Sequence, residues 1–257
     1  MADRPLAGKA ALVTGASRGI GKGIALSMAE AGSDLVISAR SMDDLEETAR
    51  ECREHGVRAE AVRMDAYVLD EVYAAIDAVT DRYGKIDVLV NNAGGSRNVD
   101  GGWLGFMASA EETVRDLFDL NLFSPYFAAR HAATAMERQG FGSIINITST
   151  LAFYPSDRIQ PYSVAKIALQ EFTKLWAVEL GPKGIRCNAI GPGPVESAQL
   201  DKIFALDPDA RQHRIDGVPL GRLGVPADVG KACVFLAGDA SEWITGATLL
   251  ISGGRRW

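Results

Sequence analysis

Short apolar runs alternate with amphipathic stretches along the whole chain. Ala10 to Val13, Asp34 to Ser38, Arg58 to Arg63, Ile86 to Val90, Ser143 to Thr148, Ile185 to Ile190 and Thr248 to Ile251 read as seven strands. Their near-continuous apolar character suits strands buried on both faces of a parallel sheet. Helical patterns lie between them. Val68, Val72, Ile76, Val79 and Tyr83 recur every three or four residues and trace one apolar stripe. Asp43 to His55 forms a second helical segment, stopped by Gly56. This alternation predicts βαβ units with right-handed crossovers. The expected fold is therefore α/β, a Rossmann-like doubly wound sheet in a single domain spanning residues 1–257. Ligands of such sheets sit outside the carboxyl ends of the strands, so chemistry-bearing motifs should follow strands directly.

The turn after the first strand fits that expectation. It reads Thr14-Gly15-Ala16-Ser17-Arg18-Gly19-Ile20-Gly21 and opens a helix that continues through Ile24 and Met28. Gly15 can make a tight turn, and Gly19 and Gly21 let the backbone approach a ligand. The helix N-terminus offers free N–H groups to an anion. The spacing is neither Gly-x-Gly-x-x-Gly nor a Walker A loop, so a purely structural strand–helix turn is the competing reading. The second strand ends Ser38-Ala39-Arg40 without the acid that accepts from a ribose 2′-OH in NAD-binding units. Arg40, with Arg18 opposite, can instead fork onto a 2′-phosphate, which predicts NADP(H) over NAD(H). The alternative for Arg40 is a solvated arginine at a loop start. Asp65-Ala66 after the third strand can accept from an adenine amino group, or Asp65 can cap the next helix. Asn91-Asn92-Ala93-Gly94 after the fourth places small and amide side chains where a ribose passes, or caps the strand end.

In the second half, Tyr162-Ser163-Val164-Ala165-Lys166 opens a helix whose apolar face runs through Leu169, Phe172, Trp176 and Leu180. Residues four apart share a face, so Tyr162 and Lys166 can point to one spot. A phenol near its ordinary pKa of about 10 is a poor base at neutral pH. An ammonium at about 4 Å and an effective dielectric near 20 supplies roughly the 4 kcal/mol that brings it to about 7. No other tyrosine has a lysine four residues later. Ser149, just past the fifth strand, is placed to hold a substrate oxygen as a hydrogen-bond donor. No Gly-x-Ser-x-Gly elbow makes it a nucleophile.

Composition narrows the reading further. Of 257 residues three are cysteines (Cys52, Cys187, Cys233), widely spaced, and the three histidines are scattered, so neither a disulfide framework nor a zinc site is expected. A net charge of −6 argues against a nucleic-acid partner. No apolar run reaches membrane-spanning length and the N-terminus shows no secretory pattern, so a cytoplasmic location without a membrane partner is expected.

Taken with Asn121 and with Pro192-Gly193, Val195 and Ser197, these motifs resemble the short-chain dehydrogenase/reductase family in its compact form, over about Leu6 to Gly254. The resemblance implies an oxidoreductase that moves a hydride between nicotinamide and a carbonyl or secondary alcohol carbon. It implies that Ser149 holds the substrate oxygen, Tyr162 donates or removes its proton, and Lys166 binds the nicotinamide ribose and lowers the tyrosine pKa. Asn121 would order a water that relays protons to Lys166. Gly15, Ser17, Arg18, Gly19, Ile20 and Gly21 would wrap the pyrophosphate, Asp65 and Ala66 border the adenine, and Asn92, Ala93 and Gly94 line the ribose. Pro192 and Gly193 would precede Val195 and Ser197, which anchor the carboxamide. A homotetramer through segments 111–137 and 160–181 and the last strand is also implied.

Three stretches depart from the family pattern: a long glycine-rich segment Gly95 to Ser109, Ser252 where relatives usually carry Asp, and the terminal Arg255-Arg256-Trp257, with Trp257 at an interface, at a neighbouring site or in a loose tail. Specificity is expected from about 195–217, where Leu200, Ile203, Phe204 and Leu206 mix with charges and Phe153 and Tyr154 stand nearby. A small ketone, sugar or cyclic alcohol is one substrate class. A 3-oxoacyl thioester on an acyl carrier protein is the other, and the lack of a basic cluster weakly favours the first. A regulator that binds NADP without chemistry is a third reading, opposed by the intact Asn121, Ser149, Tyr162 and Lys166 set.

Overall fold

A computed structural model of the chain describes residues 4–96, 106–154, 159–197, 200, 204, 205, 207 and 209–255. Seven parallel strands, β1 (Ala10–Thr14), β2 (Asp34–Ala39), β3 (Ala59–Arg63), β4 (Val88–Asn91), β5 (Gly142–Ile147), β6 (Ile185–Pro192) and β7 (Thr248–Ile251), form one sheet in the order β3-β2-β1-β4-β5-β6-β7. Helices α1 (Gly19–Glu30), α2 (Met42–Arg53), α3 (Leu69–Tyr83), α4 (Glu111–Phe118), α5 (Ser124–Gln139), α6 (Gln160–Leu180), α7 (Asp209–Asp216) and α8 (Pro226–Ala237) accompany it. The strand order reverses between β1 and β4, which opens a crevice at their carboxyl ends. Alternation along β1 divides the core. Ala11 and Val13 join one buried cluster with residues of α1, α2 and α8, while Ala10 and Leu12 join a second with residues of α3, α5 and α6.

The predicted strands are all present, with shifted ends. β4 starts at Val88 rather than Ile86 because the Gln139 side chain occupies the Ile86 backbone, donating to its carbonyl at 2.6 Å and accepting from its amide at 3.3 Å. Val68 does not belong to the α3 stripe; it precedes the helix in extended conformation and is exposed. Asp65 does not cap α3. Its carboxylate accepts from the Tyr67 amide at 3.1 Å in a local turn, while Glu71 Oε2 accepts from the Asp65 amide at 2.7 Å.

Two contacts join the first helix to the last. A Cβ on Gly23 would stand 2.3 Å from Pro226 Cβ, and one on Gly230 would stand 2.2 Å from Ser27 Oγ. Backbone of α1 and α8 thus approaches more closely than any side chain permits. Among the described residues no helix is long and apolar enough to cross a membrane. The described parts of the 95–109 stretch are Gly95, Ser96 and residues 106–109; the rest of it, with Ile203, Leu206 and Trp257, lies outside the described residues.

Candidate active site

The first turn is stitched to β4 by side chains. Thr14 Oγ1 accepts from the amides of Asn92 (3.0 Å) and Ala93 (2.9 Å) and donates to the Val90 carbonyl. Asn92 Nδ2 donates to the carbonyls of Thr14 (2.8 Å) and Gly15 (3.1 Å). The Asn92 side-chain nitrogen is therefore engaged by the turn itself, as a strand-end cap. Gly15 has φ of +67°, and a Cβ on Gly21 would lie 2.1 Å from the Gly15 carbonyl oxygen. The first position needs a left-handed backbone and the second tolerates no side chain. α1 then begins with no side-chain cap and no acid in its first turn, leaving its N–H groups and positive end for an anion.

A cleft of about 1370 Å³ runs from this turn along the carboxyl edge of the sheet. At one end stand Arg18 and Arg40, both exposed, and neither forms an ion pair among the described residues. Asp44, which the sequence reading did not single out, faces the same end and accepts from Ser41 Oγ at 3.0 Å. Gly15, Ser17, Gly19, Ile20, Gly21, Asp65, Ala66, Asn92, Ala93 and Gly94 follow along the wall. This cradle of small residues at a helix start, with two arginines at one end, fits a dinucleotide phosphate chain.

Further along, Ser149, Tyr162 and Lys166 meet. Ser149 lies two residues past β5 and caps a single turn of 3₁₀ helix over Thr150–Ala152, its Oγ accepting from the Leu151 amide at 3.1 Å. Its hydroxyl stands near enough to the Tyr162 phenol to pull that group's pKa downward. Pro161 starts α6 with the φ a first helical turn requires. Tyr162 and Lys166 then follow one turn apart, with Lys166 Nζ 5.8 Å from the Tyr162 ring centroid. The lysine is 4% exposed and donates to the Ile147 carbonyl at 2.9 Å.

The electrostatics differ from expectation. The ring of Tyr162 keeps access to the cleft, yet the protein around its hydroxyl pushes the pKa above its usual value, with the Ser149 hydroxyl acting in the opposite direction. Burial pulls Lys166 from 10.5 down to about 8. The lysine's Nζ turns to the Ile147 carbonyl, and desolvation governs both groups.

Asn121 does not line the cleft but stands behind it, in a five-residue π-helical turn over Asp119–Phe123. Its Oδ1 accepts from the Gly95 amide at 2.9 Å, and its Nδ2 donates to the Gly95 and Leu117 carbonyls, each at 3.0 Å. A Cβ on Gly94 would lie 2.8 Å from Asn121 Oδ1 and 3.2 Å from Lys166 Nζ, so Gly94 fits between the two.

Pro192, Gly193, Val195 and Ser197 line the opposite wall. Thr150 Oγ1 donates to the Pro192 carbonyl at 3.2 Å, the Gly193 amide donates to the Ile251 carbonyl at 2.9 Å, and Ser197 Oγ accepts from the Leu200 amide at 3.3 Å. Gly193 approaches Ser252 closely enough that a Cβ would lie 2.9 Å from its Cα. Tyr154 faces the cleft; Phe153 does not. His213 and Arg214, which the sequence reading left aside, complete this end together with Arg255 from the stretch that departs from the family pattern. It also missed a buried amide chain beneath the site, in which Asn91 donates to Asn146 at 2.9 Å and Asn146 to Thr173 at 2.9 Å. Their only signal in the sequence is a polar residue inside an apolar strand.

The profile of a family described as Enoyl-(Acyl carrier protein) reductase matches residues 15–256. The 7alpha-hydroxysteroid dehydrogenase of Escherichia coli K12 is 36% identical over 250 residues, covering 97% of this chain and 94% of that protein. A 3-oxoacyl-acyl-carrier-protein reductase FabG of Staphylococcus aureus is 36% identical over 247 residues, covering 96% and 97%. A solved 7 alpha-hydroxysteroid dehydrogenase complexed with NADH and 7-oxo glycochenodeoxycholic acid superposes with a TM-score of 0.92 at 34% identity, covering 98% of this chain and 96% of that one.

Proposed function

The chain belongs to the short-chain dehydrogenase/reductase family, and from that premise we propose that it is an NADP(H)-dependent oxidoreductase with Tyr162 as general acid/base. That it acts on hydroxyl and carbonyl groups follows from the family; the cofactor and the residue roles are our reading. The observation that carries it is the convergence of Ser149, Tyr162 and Lys166 in one cleft with the glycine-rich turn. Ser149 and Tyr162 bind the substrate oxygen together, and the Tyr162 hydroxyl gives it a proton in reduction or takes one in oxidation. Lys166, held to Ile147 and titrating near 8, exchanges protons near neutral pH and binds the ribose hydroxyls. Asn121 fixes Gly95 beside it and serves the proton relay. Gly15 to Gly21 hold the pyrophosphate. Asp65 and Ala66 border the adenine, and Ala93 and Gly94 border the ribose. Val195 and Ser197 hold the carboxamide. The bound nicotinamide supplies or accepts the hydride.

Arg40 and Arg18 favour NADP(H). The contrary consideration is that the steroid-oxidising relative is complexed with NADH, and that Asp44 stands beside Arg40's end of the cleft. Two exposed guanidinium groups without an ion pair among the described residues outweigh one carboxylate already engaged by Ser41. Both substrate classes have a relative at 36% identity, a hydroxysteroid dehydrogenase and a 3-oxoacyl thioester reductase. Turnover with NADPH, compared between acetoacetyl thioester and a panel of cyclic ketones, separates them. Tyr162→Phe should abolish turnover while NADPH still binds; substantial remaining turnover overturns the mechanism and inclines toward a binding-only regulator.

A homotetramer fits the surface of α6. Val164, Leu175 and Val178 recur at helical spacing and are 49%, 61% and 78% exposed, an apolar stripe of the kind that association covers. Light scattering of the purified protein tests this.

A further inference from the structure

Two consecutive residues of β5 hold α6 at two heights. The Ile147 carbonyl accepts from Lys166 Nζ at 2.9 Å, and Asn146 Nδ2 donates to Thr173 Oγ1 at 2.9 Å. Lys166 and Thr173 are about two turns, or about 10 Å, apart along the helix axis. Thr173 Oγ1 donates to the Leu169 carbonyl at 2.7 Å, so its one proton is committed and it meets Asn146 as an acceptor. Asn146 Oδ1 accepts from Asn91 Nδ2 at 2.9 Å across the β4–β5 pairing, and Asn91 Nδ2 also donates to the Pro125 carbonyl at 3.2 Å. Asn91, Asn146 and Thr173 are all buried. The chain of bonds thus runs from α5, which follows the π-helical turn of Asn121, through β4 and β5 to α6. These are the elements that carry or adjoin Asn121, Gly94, Ser149, Tyr162 and Lys166.

Apolar packing does not fix where α6 sits along its own axis. Leu169 and Ala165 cluster with Leu122, Phe118 and Phe172, and such contacts are non-directional. Hydrogen bonds weaken steeply when misaligned. Apolar side chains of like shape would give comparable cohesion, because a satisfied buried pair is worth little net. What the amide chain adds is register. β5 leads within two residues to Ser149, and α6 carries Tyr162 one turn before Lys166. We propose that Asn146 and Thr173 are positioning residues: their hydrogen bond, together with that of Lys166 to Ile147, sets the register of α6 on β5 and so the approach of Tyr162 to Ser149. Neither side chain lines the cleft, and Thr173 stands about 16 Å along the helix from Tyr162. A misplacement of about 1 Å from so remote a change can cost on the order of a hundredfold in rate. The consequence for turnover rests on the oxidoreductase reading of the cleft; the register does not.

Lys166 supplies a readout that needs no substrate. Burial brings it down to about 8, so its titration midpoint reports how closely α6 seats on β5. Carbon-13 NMR of lysine Cε in the cofactor-free protein gives that midpoint, with the signal assigned by its loss in Lys166→Met. Thr173→Val keeps the shape and removes the oxygen that Asn146 reaches, whereas Thr173→Ser keeps the oxygen. Thr173→Val is expected to raise the midpoint by about half a pH unit or more as the ammonium gains water, and Thr173→Ser to leave it within about 0.2 of wild type. Should Thr173→Val not fold, Thr173→Ala lacks the same oxygen and is read in the same way. A lower melting temperature with an unmoved midpoint overturns the proposal in favour of plain cohesion. So does a serine variant that shifts as far as the valine one. With NADPH and either cyclohexanone or acetoacetyl thioester, kcat should fall about tenfold or more in Thr173→Val and recover in Thr173→Ser, while KM and NADPH affinity stay within about threefold. An unchanged kcat overturns the positioning role. Failure of the parent reading looks different: the Lys166 midpoint would still respond to Thr173→Val, yet wild type would consume NADPH with neither carbonyl.

Discussion

Asn121 and Gly95 exchange two hydrogen bonds, Oδ1 accepting from the glycine amide at 2.9 Å and Nδ2 donating to its carbonyl at 3.0 Å. A side chain here completes a backbone-like pair across the rim of the site. Gly94, which separates Asn121 from Lys166, is held in place by the same pair. Asn121→Ala leaves two part-buried backbone groups of Gly95 without these partners, and losing such bonds costs about 1–3 kcal/mol. Urea denaturation should show a loss in that range. Turnover should fall more steeply than NADPH affinity, because the displaced element adjoins Lys166 rather than the phosphate cradle. An Asn121→Ala protein with wild-type stability would show that the pair is not formed.

Arg40→Asp should reverse cofactor preference. Charge-assisted hydrogen bonds contribute roughly 1.5–3 kcal/mol each, and solvent screening of exposed groups reduces this, so a ten- to thousandfold change in the NADP(H)-to-NAD(H) ratio is expected. Dissociation constants from nicotinamide fluorescence give the ratio directly. Asp44→Asn, which removes a carboxylate from the same end, should move it the other way, further toward NADP(H).

Lys166 gives a pH prediction with a definite sign. Its folded pKa, about 8, lies below its ordinary 10.5. Between these values the unfolded chain holds the proton that the folded chain has lost, so stability rises with pH there. The penalty for burying the ammonium is fully present below pH 8 and is relieved as pH rises toward 10.5. At about 1.4 kcal/mol per pKa unit it amounts to roughly 3 kcal/mol. Lys166→Met removes this penalty. Its stability advantage over the cofactor-free parent should be largest below pH 8 and shrink by about that amount by pH 10.5. A pH-independent difference would place the lysine in water.

Gly21→Ala tests the cradle. The added methyl would lie 2.1 Å from the Gly15 carbonyl oxygen and 2.4 Å from Asn92 Nδ2, so the turn must open. Overpacking of this kind costs about 1–3 kcal/mol. The cost should appear twice, as lower thermal stability and as loss of NADPH binding. Gly56→Ala places its methyl where nothing lies within 4 Å, but at φ of +74°. It should lose stability alone.

Strands were legible in the chain because both faces of a central parallel strand are buried, so Leu12, Val36, Leu89 and Ile144 leave an unbroken apolar run. The glycine turn and the Tyr162–Lys166 spacing were legible because their geometry is local. What escaped depends on distant partners. The Asn92 side chain bonds the Thr14 and Gly15 carbonyls, more than seventy residues earlier in the chain. Asn121 faces Gly95 from a π-helical turn, and 3.6-residue periodicity does not anticipate that turn. Arg214 and Arg255, far apart along the chain, line one end of the same cleft. The desolvation that raises Tyr162 in the cofactor-free chain was not legible, because spacing gives proximity to a charge but says nothing of burial.

The close docking of α1 on α8 carries one more consequence. The helix whose N-terminus faces the phosphate cradle is seated, through Gly23 and Gly230, on a helix from the last fifth of the chain. Any ligand that tightens the cradle therefore tightens its support. By linkage, cofactor binding should slow amide hydrogen exchange in Val229 to Leu236 as well as in the glycine turn. Damage at Gly230, far from any phosphate, should in turn weaken the grip on NADPH. The two ends of the polypeptide then open and close as a single cooperative unit, with the dinucleotide as its latch.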